Sequence, residues 1–225
     1  MSSEKEIFDL PAEKLLSLVN IFNKMASSGA VDMFNMTYKD GEPIEYPEFD
    51  LILSIRLFTG ESVKTVRDPS GYNSEFARKI QKTNPGVIPT KRLYEKANKI
   101  LTKLASVKNE KANFTIYRGI SLDENVVKLL RPGMEFNNWS ISSWSTSYQK
   151  ARAFGAPTKE GHVRVILKIE NPGYGCDIHH LSLFISEEEF ILGKKLIIEE
   201  IDFVDNRNKF VDGKTHYQIL CKVLD

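Results

Sequence analysis

Two glutamates near the C-terminal third of the chain could act on one site. Glu187 and Glu189 belong to a run of three glutamates that precedes the apolar residues Phe190, Ile191 and Leu192. In an extended strand the side-chain period of two places their carboxylates on one face, about 7 Å apart. Like charges this close repel each other unless a cation, a developing positive charge or a raised pKa relieves them. Two interpretations fit the pattern: a site that stabilises positive charge, and a solvated acidic turn that leads into a strand.

An arginine at the end of an apolar row is the second candidate. If residues 114–118 form a strand, Phe114, Ile116 and Arg118 share a face, and flexible Gly119 follows. A guanidinium in that position is suited to hold a carboxylate or phosphate with two hydrogen bonds. The alternative is that the strand ends at Tyr117 and Arg118 extends into solvent.

A run of hydroxyl residues, 140–147, is the third candidate. As a strand it places Ser145 and Ser147 opposite Trp144 and Thr146. Small hydroxyl side chains leave room for a ligand and can hydrogen-bond a charged partner. A hydroxyl-rich edge strand is the alternative interpretation.

The elements that must position these residues change type near residue 111. Apolar residues at helical spacing predict a helix that stops at Gly29, a second from Pro47 to about Phe58, and a third from near Thr90. Turn-rich connectors are predicted at 68–73 and 84–89. The later pattern has a period of two and predicts strands at 114–118, 140–147, 163–170, 188–191, 195–204 and 216–223, with a hairpin turn at Asp212-Gly213. Helices followed by strands predict an α+β protein with a helical lobe at 1–110 and a β core at 111–225.

Composition narrows the class of protein. The chain has 225 residues, 41% of them hydrophobic and 27% charged, which is typical of a globular protein. A net charge of +1 disfavours a surface for nucleic acid or an anionic membrane. Cys176 and Cys221 are too few for a paired-cysteine metal site or a disulfide scaffold and suit a reducing cytoplasm. The N-terminus lacks the pattern of a signal peptide, and no stretch is long and apolar enough to span a bilayer.

The order of these motifs resembles a known family. Tyr117-Arg118-Gly119, Ser145-Thr146-Ser147, Ala153-Phe154-Gly155 and the segment 184–192 are similar, in order and spacing, to the mono-ADP-ribosyltransferases of the arginine, serine, glutamate class. That class includes enzymatic components of clostridial binary toxins and enzymes of tailed phages. The resemblance covers roughly 114–223, with a fainter echo at Leu57-Phe58-Thr59-Gly60. It implies one catalytic domain in which the helical lobe precedes a two-sheet, mainly antiparallel β-sandwich that forms an NAD cleft.

The resemblance also implies roles for individual residues. Glu189 would stabilise the positive charge that develops on the ribose when NAD loses nicotinamide, and Ser145 would hold Glu189 in place. Arg118 would clamp the pyrophosphate. Further contacts to NAD are implied for Gly119, Arg152 and Phe154, the latter two in the loop 148–162 that would cover the nicotinamide and phosphates. No metal is implied. Ser143 as the active serine, and Glu188 within the glutamate run, remain alternative assignments.

Acceptor specificity is implied by Glu187. Relatives with glutamate at this position generally modify arginine, because a carboxylate can orient a guanidinium and take its proton. The loop 177–186 would recognise the target, with Phe184 contacting substrate or serving as a local core anchor. The implied partner is a host or target protein in that cell's cytoplasm, reached with or without a separate delivery component.

Two other functions fit the same residues. An NAD glycohydrolase would use water as the acceptor, and a paralogue without catalysis would only bind a partner. The presence of Arg118, Ser145, Glu187 and Glu189 together argues against the second.

Overall fold

The protein is an α+β structure, as the sequence predicts, with helices first and a mainly antiparallel sheet afterwards. The computed structural model describes residues 7–33, 35–44, 48–60, 63–74, 90–138, 140–157, 159–204 and 216–224. The chain forms two compact units. The helical unit contains residues 1–107 and 176–186, and the sheet unit contains residues 108–175 and 187–225.

The helical unit is built on four described helices, α1 (Ala12–Ser27), α2 (Glu48–Thr59), α3 (Val63–Arg67) and α4 (Lys91–Ser106). It also contains the two-residue strands β1 (Val31–Asp32), β2 (Thr37–Tyr38) and β7 (Cys176–Asp177) and 3-10 helices at Ile7–Asp9, Pro69–Gly71 and His179–Leu181. Thr90 caps α4 by accepting a hydrogen bond at Oγ1 from the Leu93 amide, 3.2 Å away. The predicted apolar face of α4 is buried at Ala97, Ile100, Leu101 and Leu104.

The sheet unit contains the longer strands. They are β3 (Thr115–Asp123), β4 (Glu135–Phe136), β5 (Ser142–Ser145), β6 (His162–Glu170), β8 (Glu189–Leu192), β9 (Leu196–Val204) and β10 (His216–Val223). Within this unit they are hydrogen-bonded in the order β4-β9-β10-β6-β3-β5-β8. The pairs are antiparallel except for β6 with β10. Two short helices, α5 (Glu124–Leu129) and α6 (Tyr148–Phe154), complete the described part of the unit.

One face of this sheet carries the hydrophobic core. Alternate residues of β3, β6 and β8 point into it, among them Ile116, Leu167 and Phe190, and Trp144 of β5 joins them at 2% exposure. Burial of each such side chain contributes about 1.5–3 kcal/mol. Residues at the intervening positions lie on the other face, where the glutamate run and the serines meet.

The structure corrects several predicted boundaries. Strand β3 continues past Arg118 to Asp123, because the apolar row resumes with Ile120 and Leu122, which pack against the core. Strand β5 ends at Ser145, since Ser147 instead caps α6 by accepting a hydrogen bond from the Lys150 amide. The predicted connector at 84–89 and the turn at Asp212-Gly213 lie outside the described residues. No helix in the described ranges combines the length and hydropathy needed to cross a membrane.

Candidate active site

The pairing of β5 with β8 brings the serines and glutamates together. Ser145 is opposite Glu189, and Ser143 is opposite Ile191. Tyr117 of β3 is opposite Ser145 on the other side of β5. Since paired residues share a face, Tyr117, Ser145 and Glu189 lie on one side of the sheet, whereas Phe190 lies on the core side.

Glu189 is a buried carboxylate held by a serine. Its side chain is 4% exposed, and its Oε1 accepts a hydrogen bond from Ser143 Oγ at 2.6 Å. Hydrogen bonds to an ionised acceptor are short and about twice as strong as neutral ones. The bond fixes one oxygen of a carboxylate that is itself almost fully buried.

Ser145, which was expected to hold Glu189, makes different contacts. Its hydroxyl donates to the main-chain oxygen of Glu187 at 2.6 Å and accepts from the Ser147 amide at 3.0 Å. The structure therefore corrects the predicted contact: Ser143 holds the Glu189 carboxylate, and Ser145 holds the backbone at Glu187. The alternative assignment of Ser143 describes the observed hydrogen bond.

The glutamate run is a turn, so the expectation that Glu187 and Glu189 share a strand face is wrong. Glu187 ends a 3-10 helix at Ile185–Glu187, and Glu188 has a φ of 50°, in the left-handed region. Only Glu189 belongs to β8. A non-glycine residue with positive φ is uncommon, and the surrounding contacts must stabilise it.

Thr146 supplies two of those contacts. Its amide donates to the Glu188 main-chain oxygen at 3.2 Å, and its hydroxyl donates to Glu188 Oε2 at 2.7 Å. Together with Ser145, Thr146 thus holds the turn that sets Glu187 relative to Glu189. The sequence assigns no role to Thr146, because its contact with Glu188 arises only from the long-range hydrogen bonds beyond the end of the β5–β8 pair.

Glu187 is half-buried, and burial raises the pKa of its carboxyl group above the ordinary value of 4.5. Nearby Lys150 opposes that shift and lowers the pKa. A carboxylate with a raised pKa binds a proton more readily than an exposed one. Glu187 is therefore suited to accept a proton.

Arg118 of β3 also contacts strand β5. It lies in the β3 row of Ile116 and Ile120, and its Nη1 donates to the main-chain oxygen of Ser143 at 3.4 Å. Ser143 therefore contacts Arg118 through its carbonyl and Glu189 through its hydroxyl. The two charged residues are connected through one serine although their strand positions face opposite sides of the sheet.

Helix α6 lies against β3 at Gly119. A Cβ at Gly119 would overlap the main-chain oxygen of Ala151 and lie 2.6 Å from the Gly155 amide nitrogen. Gly119, expected among the cofactor contacts, therefore has a packing role in the structure. On the same helix, Arg152 is half-buried and Phe154 is 60% exposed.

Arg164 was not singled out by the sequence reasoning. It is 4% exposed, and its Nε and Nη1 have no hydrogen-bond partner among the described residues. Both Arg152 and Arg164 lower the pKa of the Tyr148 phenol, whereas burial, the larger effect, raises it. The charges of both arginines therefore act on the same half-buried tyrosine. The signal for Arg164 in the sequence was its charge, next to the apolar residues Val165 to Leu167 of the same strand.

Phe184 belongs to the helical unit, where it is exposed. Three consecutive apolar residues, Leu183, Phe184 and Ile185, are 43%, 50% and 50% exposed. The Phe184 amide donates to Ser182 Oγ at 3.1 Å. Of the two interpretations of Phe184, its exposure favours a surface contact over a core anchor.

Comparison with known proteins identifies the fold. No family model and no curated protein matches the sequence. The Vis toxin from Vibrio splendidus, described as an ADP-ribosyltransferase, is similar in structure with a TM-score of 0.52 and 16% identity, over 97% of this chain and 89% of that chain. Vis solved in complex with agmatine gives a TM-score of 0.53 and 17% identity, over 96% of this chain and 87% of that chain. The chain has the ADP-ribosyltransferase fold.

The likeness to this ADP-ribosyltransferase fold extends beyond the predicted resemblance. The motifs cover roughly 114–223, whereas the structural match covers 97% of the chain and so includes most of the helical unit. The first half of the chain is therefore part of the shared fold.

Proposed function

We propose that the protein is an NAD-dependent mono-ADP-ribosyltransferase that transfers ADP-ribose to an arginine side chain of a target protein and releases nicotinamide. The observation that carries the proposal is the buried Glu189 carboxylate, held by Ser143, with half-buried Glu187 two residues earlier. The ADP-ribosyltransferase fold supports the general reaction.

Glu189 would provide electrostatic stabilisation. Cleavage of an N-glycosidic bond develops positive charge on the sugar, and a fixed carboxylate in a dry site stabilises that charge strongly. Ser143 fixes one carboxylate oxygen, so little reorganisation is needed when the charge develops. Glu189 would also accept a hydrogen bond from a ribose hydroxyl.

The chain also has cationic groups that fit an anionic dinucleotide. NAD carries a pyrophosphate, for which arginine offers a suitable fork of donors. Arg164 has two buried donor atoms without a hydrogen-bond partner in the described part of the chain. Arg152 and Arg164 both lower the pKa of the Tyr148 phenol, so both charges act in one region. Arg118 and Arg152 remain the proposed pyrophosphate contacts, with Gly119 and Phe154 beside them. Arg164 adds a further positive charge that would favour the binding of an anionic group.

Glu187 would act on the acceptor. A guanidinium is protonated and is a poor nucleophile until a base takes a proton from it. The raised pKa of Glu187 suits that task, and the turn fixed by Ser145 and Thr146 sets its position. The complex of Vis with agmatine, a small arginine mimic, supports an arginine acceptor for this chain as well.

The acceptor arginine would belong to a protein of a host or target cell, where the protein acts in the cytoplasm. Phe184, exposed between Leu183 and Ile185, would contact that protein. The segment presents apolar surface without a charge, which suits a protein acceptor better than a nucleic acid.

Nicotinamide release from NAD tests the proposal, measured for wild type and Glu189→Gln with and without agmatine. We expect release that rises with agmatine, a product identified by mass spectrometry as ADP-ribosyl-agmatine, and loss of both in the variant. Release that agmatine does not change would favour an NAD glycohydrolase. No release from a folded, NAD-binding wild type would indicate a binding protein without catalysis.

A further inference from the structure

The segment 177–186 is fastened to the helices of its own unit by two buried polar side chains. We infer that Asn23 and Thr59 are positioning residues that hold this segment so that Phe184 is presented to the acceptor. The presentation of Phe184 to an acceptor rests on the proposed function, whereas the anchoring of the segment by Asn23 and Thr59 does not. Through this segment, the helical unit would take part in the choice of target.

Asn23 of α1 uses both ends of its amide group. Its Nδ2 donates to the Asp177 main-chain oxygen at 2.7 Å, and its Oδ1 accepts from the His180 amide at 3.1 Å. The side chain is 9% exposed, so water competes little for these bonds. One asparagine therefore fixes the backbone at both sides of residues 178–179.

Thr59, the last residue of α2, holds the segment three residues further on. Its Oγ1 accepts a hydrogen bond from the Leu183 amide at 3.1 Å and donates to the Arg56 main-chain oxygen at 3.4 Å. Thr59 is also 9% exposed. The following residue is Gly60, where a Cβ would lie 3.0 Å from Leu183 Cδ1, so a small residue keeps room for the segment.

These bonds divide the segment into an embedded part and a presented part. Ile178 and Leu181 are fully buried and Ser182 is 2% exposed, whereas Leu183, Phe184 and Ile185 are about half exposed. The last bond, from the Phe184 amide to Ser182 Oγ, fixes the backbone immediately before the Phe184 side chain. A surface held in one conformation loses less entropy on binding than a mobile one. The arrangement is therefore suited to recognition.

Four near-isosteric variants test the holding. Thr59→Val removes the acceptor oxygen, and Thr59→Ser retains it. Asn23→Asp removes the donor to Asp177. Asn98→Asp is the matched control, because Asn98 also donates from a half-buried amide to main-chain oxygens of the same unit, those of Val66 and Arg67 at 2.9 and 3.3 Å, but does not contact the segment.

Hydrogen exchange followed by mass spectrometry gives a readout that does not need activity. We expect Thr59→Val and Asn23→Asp to accelerate exchange in the peptide covering 177–186 by about 3- to 10-fold, the effect of losing one hydrogen bond. Thr59→Ser and Asn98→Asp should exchange there as the wild type does. Unchanged exchange in Thr59→Val and Asn23→Asp, or equal acceleration in Asn98→Asp, would overturn the inference.

Kinetics then test presentation to the acceptor, with poly-L-arginine as the probe. We expect KM for poly-L-arginine to rise about 3- to 10-fold in Thr59→Val and Asn23→Asp, with acceptor-free nicotinamide release within about twofold of wild type. An equal fall in both reactions would contradict a role specific to the acceptor. A wild type that releases no nicotinamide would overturn the proposed function, and the exchange result would still decide the holding.

Discussion

Two hydroxyl groups on β5 each control a different glutamate. Ser143 donates to the Glu189 carboxylate, and Ser145 donates to the main-chain oxygen of Glu187. The first bond therefore acts on the group expected to stabilise the transition state. The second acts on the position of the group expected to accept a proton.

Alanine substitutions should separate the two serines. Loss of a hydrogen bond to a charged group removes about 1.5–3 kcal/mol, so Ser143→Ala should lower kcat for nicotinamide release at least about tenfold, both with and without agmatine. Ser145→Ala should lower ADP-ribosyl-agmatine formation more than acceptor-free release. Steady-state kinetics of both products would measure this. The opposite pattern would restore Ser145 as the serine that holds Glu189.

The protonation of Glu187 gives a pH dependence with a defined sign. Burial raises the pKa of this carboxyl above 4.5, and only the unprotonated form can take a proton from a guanidinium. Transfer to agmatine should therefore decline as the pH falls toward that raised pKa, while acceptor-free release declines less. In Glu187→Gln, release should persist and transfer should be lost at every pH. Transfer retained by Glu187→Gln would exclude Glu187 as the base.

At the scale of elements, the contact between β3 and α6 places the motifs. Gly119 and Gly155 allow the helix and the strand to approach until a Cβ at Gly155 would lie 3.2 Å from Gly119 Cα. Helix α6 follows directly from the serine motif and carries Tyr148 and Arg152. The distance between helix and strand therefore sets where these side chains lie.

Gly119→Ala should be strongly destabilising for that reason. The added Cβ would overlap the Ala151 main-chain oxygen, which cannot move without the helix. We expect a loss of about 1–3 kcal/mol in the free energy of unfolding, typical of overpacking. Urea denaturation would measure it, with Gly71→Ala as the control, because a Cβ there would meet only Asp68 Oδ2 at 3.9 Å. Equal effects of the two substitutions would contradict the packing role.

Elements with a long, uniform pattern were predictable from the sequence, and the turn between the glutamates was not. Strand β10 has the predicted bounds, and α4 begins where Thr90 indicates, because periodicity and capping are local signals. The predicted strand through the glutamate run was wrong because Glu188 adopts a left-handed φ that no local pattern indicates. The contact of Ser143 with Glu189 depends on the pairing of β5 with β8, which is a long-range property.

At the scale of the whole molecule, the chain crosses between its two units more than once. Residues 176–186 leave the sheet unit and join the helices, and the chain returns at Glu187. The predicted division at residue 110 is a single cut in sequence, whereas the helical unit contains two separate stretches of the chain, 1–107 and 176–186. Each unit contains one cysteine, Cys176 in the helical unit and Cys221 in the sheet unit.

These cysteines should report on the two units separately. Both are buried, and burial raises the pKa of Cys176 well above its usual range and that of Cys221 to about 12. Since the thiolate is the reactive form, neither should react with Ellman's reagent at pH 8 in the native protein, and both should react in urea. Because the pKa of Cys221 is higher in the folded state than the value near 9 of the unfolded thiol, stability is fully present below about pH 9 and falls as the pH rises from there toward 12. Cys176→Ala and Cys221→Ala assign each signal to its unit, and rapid reaction of either thiol without urea would show that its unit opens in the native state.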